Sequence, residues 1–356
     1  MRPLYYFVVL PASIFTLASA AAAQGTFTRM GKPNTYLSDV SADGSIAVGV
    51  RSNFGPVFRW TASEGVVDIG ATGFTAAISR DGQTIVSNAK DLQGISSAAV
   101  WQGGTNWKLL GGVPGGRPSD RSLSTAYGVS ADGSVIVGLA WVTSGKAHGF
   151  RWDAHNGMVD LGSLQNDSSR VNAVSGDGNV IVGWDANPWP SDYNYWRGAV
   201  WWQGLERLLH PFGWIGQAEG TNQDGSVIVG RGHPSSYRHA YRFIAGDGHF
   251  EELGALPRGL TADQKDQEDT SIAYAVSDDG NVVVGSSGWM PPLDAFVWTP
   301  ETKMVKLTTY LADRGVTGFG GWRLVGANSV SPNGKIIAGT GINPAGFAEG
   351  WIAKLP

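Results

Sequence analysis

Aromatic side chains and carboxylates are concentrated in one segment of the sequence, from Trp184 to Gly198. Aromatic rings stack on the C–H faces of sugars, and carboxylates accept hydrogen bonds from sugar hydroxyls, so this composition suits a carbohydrate ligand. The alternative is that some of the rings only pack the segment onto the body of the protein. The candidate ligand-binding residues here are Trp184, Asp185, Trp189, Asp192, Tyr193, Tyr195 and Trp196.

Two further segments, Arg231–Ala240 and Ser286–Leu293, carry additional candidates. These are His233, Tyr237, His239 and Trp289. The histidines have no H-E-x-x-H or comparable spacing, so we predict no metal site. The acidic segment Leu260–Thr270 lacks the alternating Asp/Asn residues and central Gly of a calcium loop, which favours a solvated loop; calcium binding by residues 263–269 stays open.

Catalysis is not decided by the sequence. There is no Cys and no G-x-S-x-G motif, and the six His are scattered, so cysteine and serine triads are unsupported. Two loop carboxylates, Asp185 with Asp120 or Asp294, would suit a glycoside hydrolase at the right separation, which sequence does not give. We expect no cofactor.

The composition of the chain excludes one class of binding partner. The 356 residues carry a net charge of −4 without clustered Lys and Arg, which excludes a nucleic-acid binder that relies on phosphate neutralisation. The chain has 51 Gly and 15 Trp, well above average usage. Such a composition, without low complexity, is typical of many tight turns around aromatic anchors.

The first 23 residues predict a cleavable signal peptide. Arg2 is followed by an apolar stretch and then by Ala21-Ala22-Ala23, an A-x-A exit, which makes Gln24 the mature N-terminus. We therefore expect a secreted protein, extracellular or periplasmic, with no membrane insertion after cleavage. We also expect a monomer, and a possible glycan or cell-surface partner is the interaction that this location favours.

Seven copies of Ser-x-Asp-Gly, each followed by a short apolar run, divide the rest of the chain. Asn222 replaces the Ser in the fifth copy and Asn333 replaces the Asp in the seventh. Asp-Gly between two β-rich runs predicts a tight hairpin, because Gly accepts the positive φ of the turn. We expect the Asp to cap its own turn and the Ser to join the same hydrogen-bond network. The turn glycines are Gly44, Gly82, Gly133, Gly178, Gly225, Gly280 and Gly334.

Each copy predicts four short strands, here named a to d. The hairpin joins a to b, strand c ends near an aromatic residue, and strand d carries a Leu-Gly or its equivalent. Small residues before the motif suit an innermost strand a, where large side chains would crowd the axis. Four antiparallel strands per repeat are typical of a propeller blade, so residues 24–356 predict one all-β domain, a seven-bladed β-propeller. The strand-c aromatics are Trp60, Trp101, Trp152, Trp201, Phe243, Trp298 and Trp351.

Ring closure is also predicted. The seventh repeat ends after its strand c, whereas Thr26–Gly31 resembles a strand d with no preceding a, b or c. Pairing this N-terminal strand with the last blade would remove two exposed sheet edges.

The segments SADGSVIVG, AHGFRW and GMVDLG of the third repeat resemble the bacterial extracellular HAF-repeat family. His239-Ala240-Tyr241 and Asp294-Ala295-Phe296 are similar to its name-giving triplet, and the resemblance covers residues 26–355. It implies an exported repeat protein but no settled activity. The Ser-Pro-Asn-Gly of repeat seven is similar to the turn of WD40 propellers, although the Gly-His and Trp-Asp pairs of that family are missing.

Strand alternation places the b–c and d–a connections on one face of the disc, and every long insertion falls in such a connection. Loops on a rigid scaffold commonly carry function. We therefore expect a binding or interaction module, possibly for polysaccharide, that uses an aromatic loop face. A carbohydrate-active hydrolase or lyase and a structural cell-envelope protein are the alternatives.

Overall fold

Seven four-stranded antiparallel sheets form the protein, and they are arranged as the seven blades of a β-propeller. The computed structural model describes residues 24–52, 55–164, 166–186, 196–210, 215–232, 238–258, 269–288, 291 and 293–356. The expected signal peptide, residues 1–23, lies outside this range. The predicted fold class and number of blades are confirmed.

In six blades the four strands follow the chain outwards from the central channel, and in the last blade the N-terminal strand is the outermost. The strands a are β2 (Tyr36–Val40), β6 (Ala77–Ile78), β10 (Ser124–Val129), β14 (Ser169–Val174), β18 (Ile215–Thr221), β22 (Ser271–Val276) and β26 (Arg323–Val330). The strands b are β3 (Ile46–Val50), β7 (Ile85–Lys90), β11 (Ile136–Trp141), β15 (Val180–Ala186), β19 (Val227–Gly232), β23 (Val283–Ser287) and β27 (Ile336–Ile342). The strands c are β4 (Pro56–Thr61), β8 (Ser96–Trp101), β12 (Ala147–Asp153), β16 (Trp196–Trp202), β20 (Ala240–Ile244), β24 (Asp294–Thr299) and β28 (Ala348–Lys354). The strands d are β5 (Gly65–Thr72), β9 (Trp107–Gly111), β13 (Gly157–Asp160), β17 (Leu205–Leu208), β21 (His249–Gly254), β25 (Lys303–Lys306) and, for the last blade, β1 (Thr26–Arg29).

The N-terminal strand closes the ring, as the sequence predicts. β1 pairs antiparallel with β28 and becomes the outer strand of blade 7. Phe27 stacks on the buried Trp351, with ring centroids 5.9 Å apart and planes inclined by 19°. The two ends of the chain are therefore joined by both backbone hydrogen bonds and aromatic packing.

The repeated turn has the hydrogen bonds expected of it. In the third repeat, Ser130 Oγ donates to Asp132 Oδ1 at 2.7 Å, and the amide of Ser134 donates to the same oxygen at 3.0 Å. The amide of Val135 donates to Ser130 Oγ at 3.0 Å. Gly133 has φ +75°, in the left-handed region that favours glycine. The turn is thus closed by its own side chains.

The second residue of the motif links neighbouring blades around the channel. Its amide donates to the carbonyl of the corresponding residue in the next blade, which makes a belt of inter-blade hydrogen bonds. The members of this belt include Ala42 to Arg80 at 3.0 Å, Arg80 to Ala131 at 3.1 Å, Ala131 to Gly176 at 2.9 Å and Asp278 to Pro332 at 2.9 Å.

A hydroxyl six residues before the motif forms a second link between blades. Ser271, at the start of blade 6, accepts a hydrogen bond from the amide of Ala240 at 2.7 Å and donates to the carbonyl of Gly254 at 2.6 Å. Both partners belong to blade 5. Ser124, at the start of blade 3, links to blade 2 in the same way, and Ser169, at the start of blade 4, links to blade 3.

The strand-c aromatic keeps one register in the blades, with one exception. Trp60 lies opposite Ala47, and Trp298 lies opposite Val283. In blade 7 the corresponding position, opposite Ile337, is taken by Ala353. The predicted equivalence of Trp351 is therefore wrong by two residues. Because side chains alternate with a period of two along a strand, Trp351 still points into the blade interface.

Among the described residues, one helix, α1 (Leu307–Asp313), lies in the d–a connection between blades 6 and 7. Its buried residues are Leu307, Tyr310 and Leu311, spaced i, i+3 and i+4, which is the apolar face of a helix. This spacing is visible in the sequence. No helix among the described residues is long and apolar enough to cross a membrane.

Deleting Thr26–Gly31 removes β1 and should lower the melting temperature by several degrees. The edge of β28 would become exposed, and Trp351 would lose the ring of Phe27. Thermal unfolding followed by circular dichroism measures the change. An unchanged melting temperature would contradict closure by this strand.

Substituting Gly133 by Val should destabilise the protein more than the matched change Gly157→Val. Both glycines have positive φ, so each change costs about 1–3 kcal/mol of backbone strain. A Cβ at Gly133 would also lie 2.1 Å from Thr84 Oγ1, whereas none of the surrounding atoms approaches a Cβ at Gly157 within 4 Å. Urea denaturation gives both free energies of unfolding, and equal losses would contradict the inter-blade contact.

Replacing turn aspartates by Asn should reduce the loss of stability in acid. Hydrogen bonds from the Ser130 hydroxyl and then from the Ser134 amide lower the pKa of Asp132. The unfolded chain therefore binds more protons than the folded chain as the pH falls below about 4, and the stability given by the carboxylate is lost. Asn333 accepts the same two kinds of hydrogen bond in repeat seven, so the Asp132→Asn turn should persist.

The measurement is the free energy of unfolding between pH 6 and pH 2. The pKa is lowered in five other turn aspartates as well, so a multiple Asn variant should show the larger effect. An identical acid dependence in wild type and variant would refute the role of the carboxylates. The other five are Asp43, Asp81, Asp177, Asp224 and Asp279.

Candidate functional site

The strand pairing gives the disc two different faces. The a–b and c–d turns lie together on one, here called the turn face, and they are all short. The b–c and d–a connections lie on the opposite one, here called the loop face. The long connections on the loop face are 112–123, 161–168, 187–195, 233–239, 255–270 and 307–322.

The sequence-predicted site residues divide into two groups. Trp184, Asp185, Trp196 and His239 belong to the described part of the chain, and all four lie at the loop-face ends of their blades. The others lie outside the described residues. They are Trp189, Asp192, Tyr193, Tyr195, His233, Tyr237 and Trp289.

Trp196 is an exposed aromatic residue of the loop face. It begins β16, and 45% of its surface is accessible, whereas Trp184 beneath it is only 8% accessible. The two ring centroids are 5.5 Å apart with planes inclined by 42°. The guanidinium of Arg170 lies 5.9 Å from the centroid of Trp184. Trp196 can therefore contact a ligand from a supported position.

Asp185 forms hydrogen bonds inside the protein. Its side chain is fully buried, and it accepts hydrogen bonds from Ser163 Oγ at 2.8 Å and from the amide of Leu164 at 2.7 Å. Both donors belong to the d–a connection of blade 3. Asp294 has another partner, Lys306, at 2.8 Å. Each of these carboxylates thus has a neighbour other than the partner suggested for a glycoside hydrolase.

Glu206, on β17, interacts with the carboxyl group of Asp185, on β15 of the same blade. Burial raises the pKa of Glu206 to about 10, and the hydrogen bond and the negative charge of Asp185 contribute in the same direction. Two carboxyl groups can share a hydrogen bond only if one keeps its proton. Sequence reasoning missed this pair, because the two residues are far apart along the blade.

His239 is held by two carboxylates. Its Nδ1 bonds to Glu252, and its Nε2 lies 3.7 Å from Asp269 Oδ1. The same strand-c position in blade 3 is His148, whose Nδ1 lies 2.8 Å from Asp160 Oδ1. This recurrence indicates that the histidine ties strand c to strand d. No group of three metal-ligating side chains was found in the described ranges.

The channel is lined by the third residue before each motif. In six blades this residue is the extra one of a β-bulge in strand a, so it turns towards the lumen. Strand a is rich in small residues, as expected, and the bulge gives the larger side chains among these seven room beside the channel. The seven residues are Ser38, Ala76, Tyr127, Asn172, Glu219, Tyr274 and Asn328.

Glu219 is the centre of a polar network in this lining. Asn172 Nδ2 donates to Glu219 Oε2 at 3.1 Å, and Arg170 Nε donates to Asn172 Oδ1 at 2.7 Å. Gln217 joins Glu219 to Arg231: its amide nitrogen donates to Glu219 Oε1 and its oxygen accepts from Arg231 Nη2, both at 3.0 Å. Burial raises the pKa of Glu219, while the charges of Arg170 and Arg231 oppose that shift.

An ion pair crosses the channel at the turn face. Arg80 of blade 2 donates to both carboxylate oxygens of Asp278 of blade 6, at 2.8 and 2.6 Å. These blades are not neighbours, so the pair spans the lumen. Further in, Asp39 accepts from the amide of Ile78 and from Ser329 Oγ, and burial raises its pKa. A cavity of about 240 Å³ extends along the channel from Arg80 to Glu219, and the opposite end of the channel is open at the loop face.

Two cavities meet at this open end. One, of about 580 Å³, lies over the channel and includes Glu219, Tyr274 and Asn328 in its lining. The other, of about 470 Å³, lies between blades 5 and 6 and is here called the blade 5–6 cavity. They share Tyr274, Ser286 and Leu293. The sequence feature that could have indicated this channel mouth is the residue three positions before each motif, which is polar in most repeats.

Comparison with known structures identifies other propellers. The chain is similar to the β-propeller domain of the Trilobed protease from Pyrococcus furiosus (TM-score 0.54, 11% identity, 90% of this chain and 95% of that one). It is similar to oligogalacturonate lyase from Vibrio parahaemolyticus (0.53, 13%, 93% of both chains). It is also similar to the Swd1 β-propeller domain of Myceliophteria thermophila (0.51, 11%, 91% and 98%). At these identities the likeness shows the fold alone.

Comparison with protein-family models and with curated proteins finds no match. The resemblance to the HAF repeats is therefore supported only as far as the propeller architecture, which the chain shares with proteins of several unrelated activities. Architecture alone does not decide function.

Replacing Glu206 by Gln should stabilise the protein at neutral and alkaline pH. The folded state keeps a proton on Glu206 up to a pKa of about 10, whereas the unfolded chain releases it near the ordinary glutamate pKa of 4.5. Stability therefore falls as the pH rises between these values. Gln supplies a neutral donor to Asp185 without this dependence.

The melting temperature, measured from pH 5 to pH 10, should fall less steeply in Glu206→Gln than in wild type. Glu64→Gln is a suitable control, because that carboxylate lies at the protein surface beside Arg59. Parallel curves for Glu206→Gln and wild type would show that the two carboxyl groups do not share a proton.

Proposed function

We propose that this propeller is a binding module that holds a glycan on its loop face, across Trp196 and the channel mouth. The observation that carries the proposal is the position of Trp196. It is an exposed indole, supported by Trp184 and located on the face that gathers every long connection. A stacked sugar ring gains about 0.5–1.5 kcal/mol per aromatic ring beyond area burial.

A chain of contacts supports one continuous surface from Trp196 to the channel. Arg170 lies between the rings of Trp184 and Tyr127, at 5.9 and 4.9 Å from their centroids. Its Nε donates to Asn172, which in turn donates to Glu219. Hydroxyl groups of a ligand stacked on Trp196 would therefore meet polar side chains towards the channel.

We further propose that the protein acts outside the cytoplasm. The expected signal peptide before Gln24 supports this location, and without cysteine such a chain must be stabilised by its core and not by disulfides. A large core held by inter-blade contacts can stabilise a secreted chain of this length. Sugar polymers of the cell surface are the ligands that such a location offers.

Trp196→Ala should weaken or abolish glycan binding while the melting temperature changes by only a few degrees. Trp202→Ala is the matched control: Trp202 lies at the other end of the same strand, on the turn face, with 51% of its surface accessible. A glycan array followed by calorimetry on the best ligand measures both variants. The double variant Trp189→Ala/Trp196→Ala should show the complete loss.

Two results would contradict the proposal. Equal loss of binding in Trp202→Ala and Trp196→Ala would show that the loop face is not the site. Unfolding of Trp196→Ala would show that the ring belongs to the core of blade 4.

A further inference from the structure

The blade 5–6 cavity is lined by two guanidinium groups. Arg231 extends from the end of β19, and Arg238 precedes β20, so both belong to blade 5. At about 470 Å³ the cavity falls within the range of about 300–1,000 Å³ typical of small-molecule sites. It has room for a molecule the size of one sugar ring.

The charged side chains among the described lining residues of this cavity are cationic. Among the described residues that line it, the charged ones are Arg231 and Arg238, and none is acidic. Arg258 adds a further positive charge near the cavity. Its Nη1 lies beside Gly288 at the cavity edge, 2.5 Å from the position that a Cβ on this glycine would occupy. A guanidinium is charged at every physiological pH. An anion would therefore be favoured over a neutral or cationic ligand.

Arg231 is held in position for such an anion. The side-chain oxygen of Gln217 accepts a hydrogen bond from Arg231 Nη2 at 3.0 Å. The side-chain nitrogen of Gln217 donates one to Glu219, which lies on the channel side. A guanidinium carries five N–H donors in a planar fork, so one bond to Gln217 leaves donors for a ligand. The network orients the side chain without occupying the cavity.

The rest of the lining suits an organic molecule. Ile272 and Leu293 give apolar contacts, whereas Tyr274 and Ser286 contribute hydroxyl groups that lie 3.2 Å from each other. Small-molecule sites usually combine apolar walls with a few polar groups that fix orientation. An inorganic anion would leave the apolar wall without a partner.

We propose that the blade 5–6 cavity binds a small organic carboxylate, with Arg231 as the anchoring cation. A planar carboxylate can accept two parallel hydrogen bonds from the guanidinium fork. The hydroxyl groups of Tyr274 and Ser286 bond the remaining polar groups of the ligand, and Leu293 contacts its carbon skeleton. This site does not require the surface around Trp196, although it opens at the same channel mouth.

Calorimetric titration of the full chain with glucuronate, glucose, succinate and sulfate tests the proposal. Glucuronate should bind at least tenfold more tightly than glucose, which has the same ring without the carboxylate. Succinate distinguishes a simple carboxylate from a sugar acid: binding equal to that of glucuronate assigns the site to carboxylates in general. Glucose binding as well as glucuronate, or sulfate competing equally with it, would overturn the assignment.

Variants locate the site. Arg231→Gln should weaken glucuronate binding at least tenfold, and Arg231→Lys should weaken it less because the charge remains. Arg323→Gln is the control, since Arg323 is an exposed arginine on the loop face of blade 7. Normal binding by a folded Arg231→Gln variant would refute the role of the arginine.

Tyr274→Phe keeps the test decisive if Arg231→Gln does not fold, because it removes one hydroxyl and no charge. It should weaken binding severalfold, and unchanged affinity in both Tyr274→Phe and Arg231→Lys would overturn the proposal. Trp196→Ala should bind glucuronate normally. Failure of the glycan surface and failure of this cavity are therefore separate results.

Discussion

The positive φ of the motif glycine is the constraint on which the ring depends. In all seven repeats this glycine has φ between +66° and +77°, which reverses the chain within a few residues. The Ser and the Asp then satisfy the turn internally, as Ser130 and Asp132 do. The backbone of the residue between them is left to bond with the next blade, so one local conformation fixes both the hairpin and the belt around the channel.

A second glycine lets strand a bulge. A Cβ at Gly138, at the end of the motif, would lie 1.9 Å from the carbonyl oxygen of Thr125. Blade 2 has Ser87 at this position, and its hydroxyl donates to the carbonyl of Thr75 at 2.7 Å. This close approach accompanies the extra residue that faces the lumen. The close approach at this glycine and the bulge in strand a therefore occur together, and the bulge presents polar groups such as Glu219 to the channel.

The two ends of the channel have opposite characters. At the turn face, the ion pair of Arg80 and Asp278 spans the channel. At the loop face, Arg170 and Arg231 offset the cost of burying Glu219, and both proposed binding surfaces open beside them. A buried carboxylate is tolerated only when it is paired or hydrogen-bonded, so this network is a structural element beside the proposed binding surfaces.

The seven blades, the closing strand and the loop face follow from the sequence, because hairpin turns and strand alternation are local and repeat seven times. The structural use of the turn aspartates follows for the same reason. Whether a single candidate site residue is buried or exposed does not follow from the sequence. Asp185 and Trp196 belong to the same aromatic and acidic segment, yet one is buried against Ser163 and the other is exposed. Only the packing of neighbouring blades decides such a difference, since it brings together residues that are distant along the chain. The network of Glu219 likewise depends on tertiary structure, because the bulge that turns its side chain inward is defined by the pairing with the next strand.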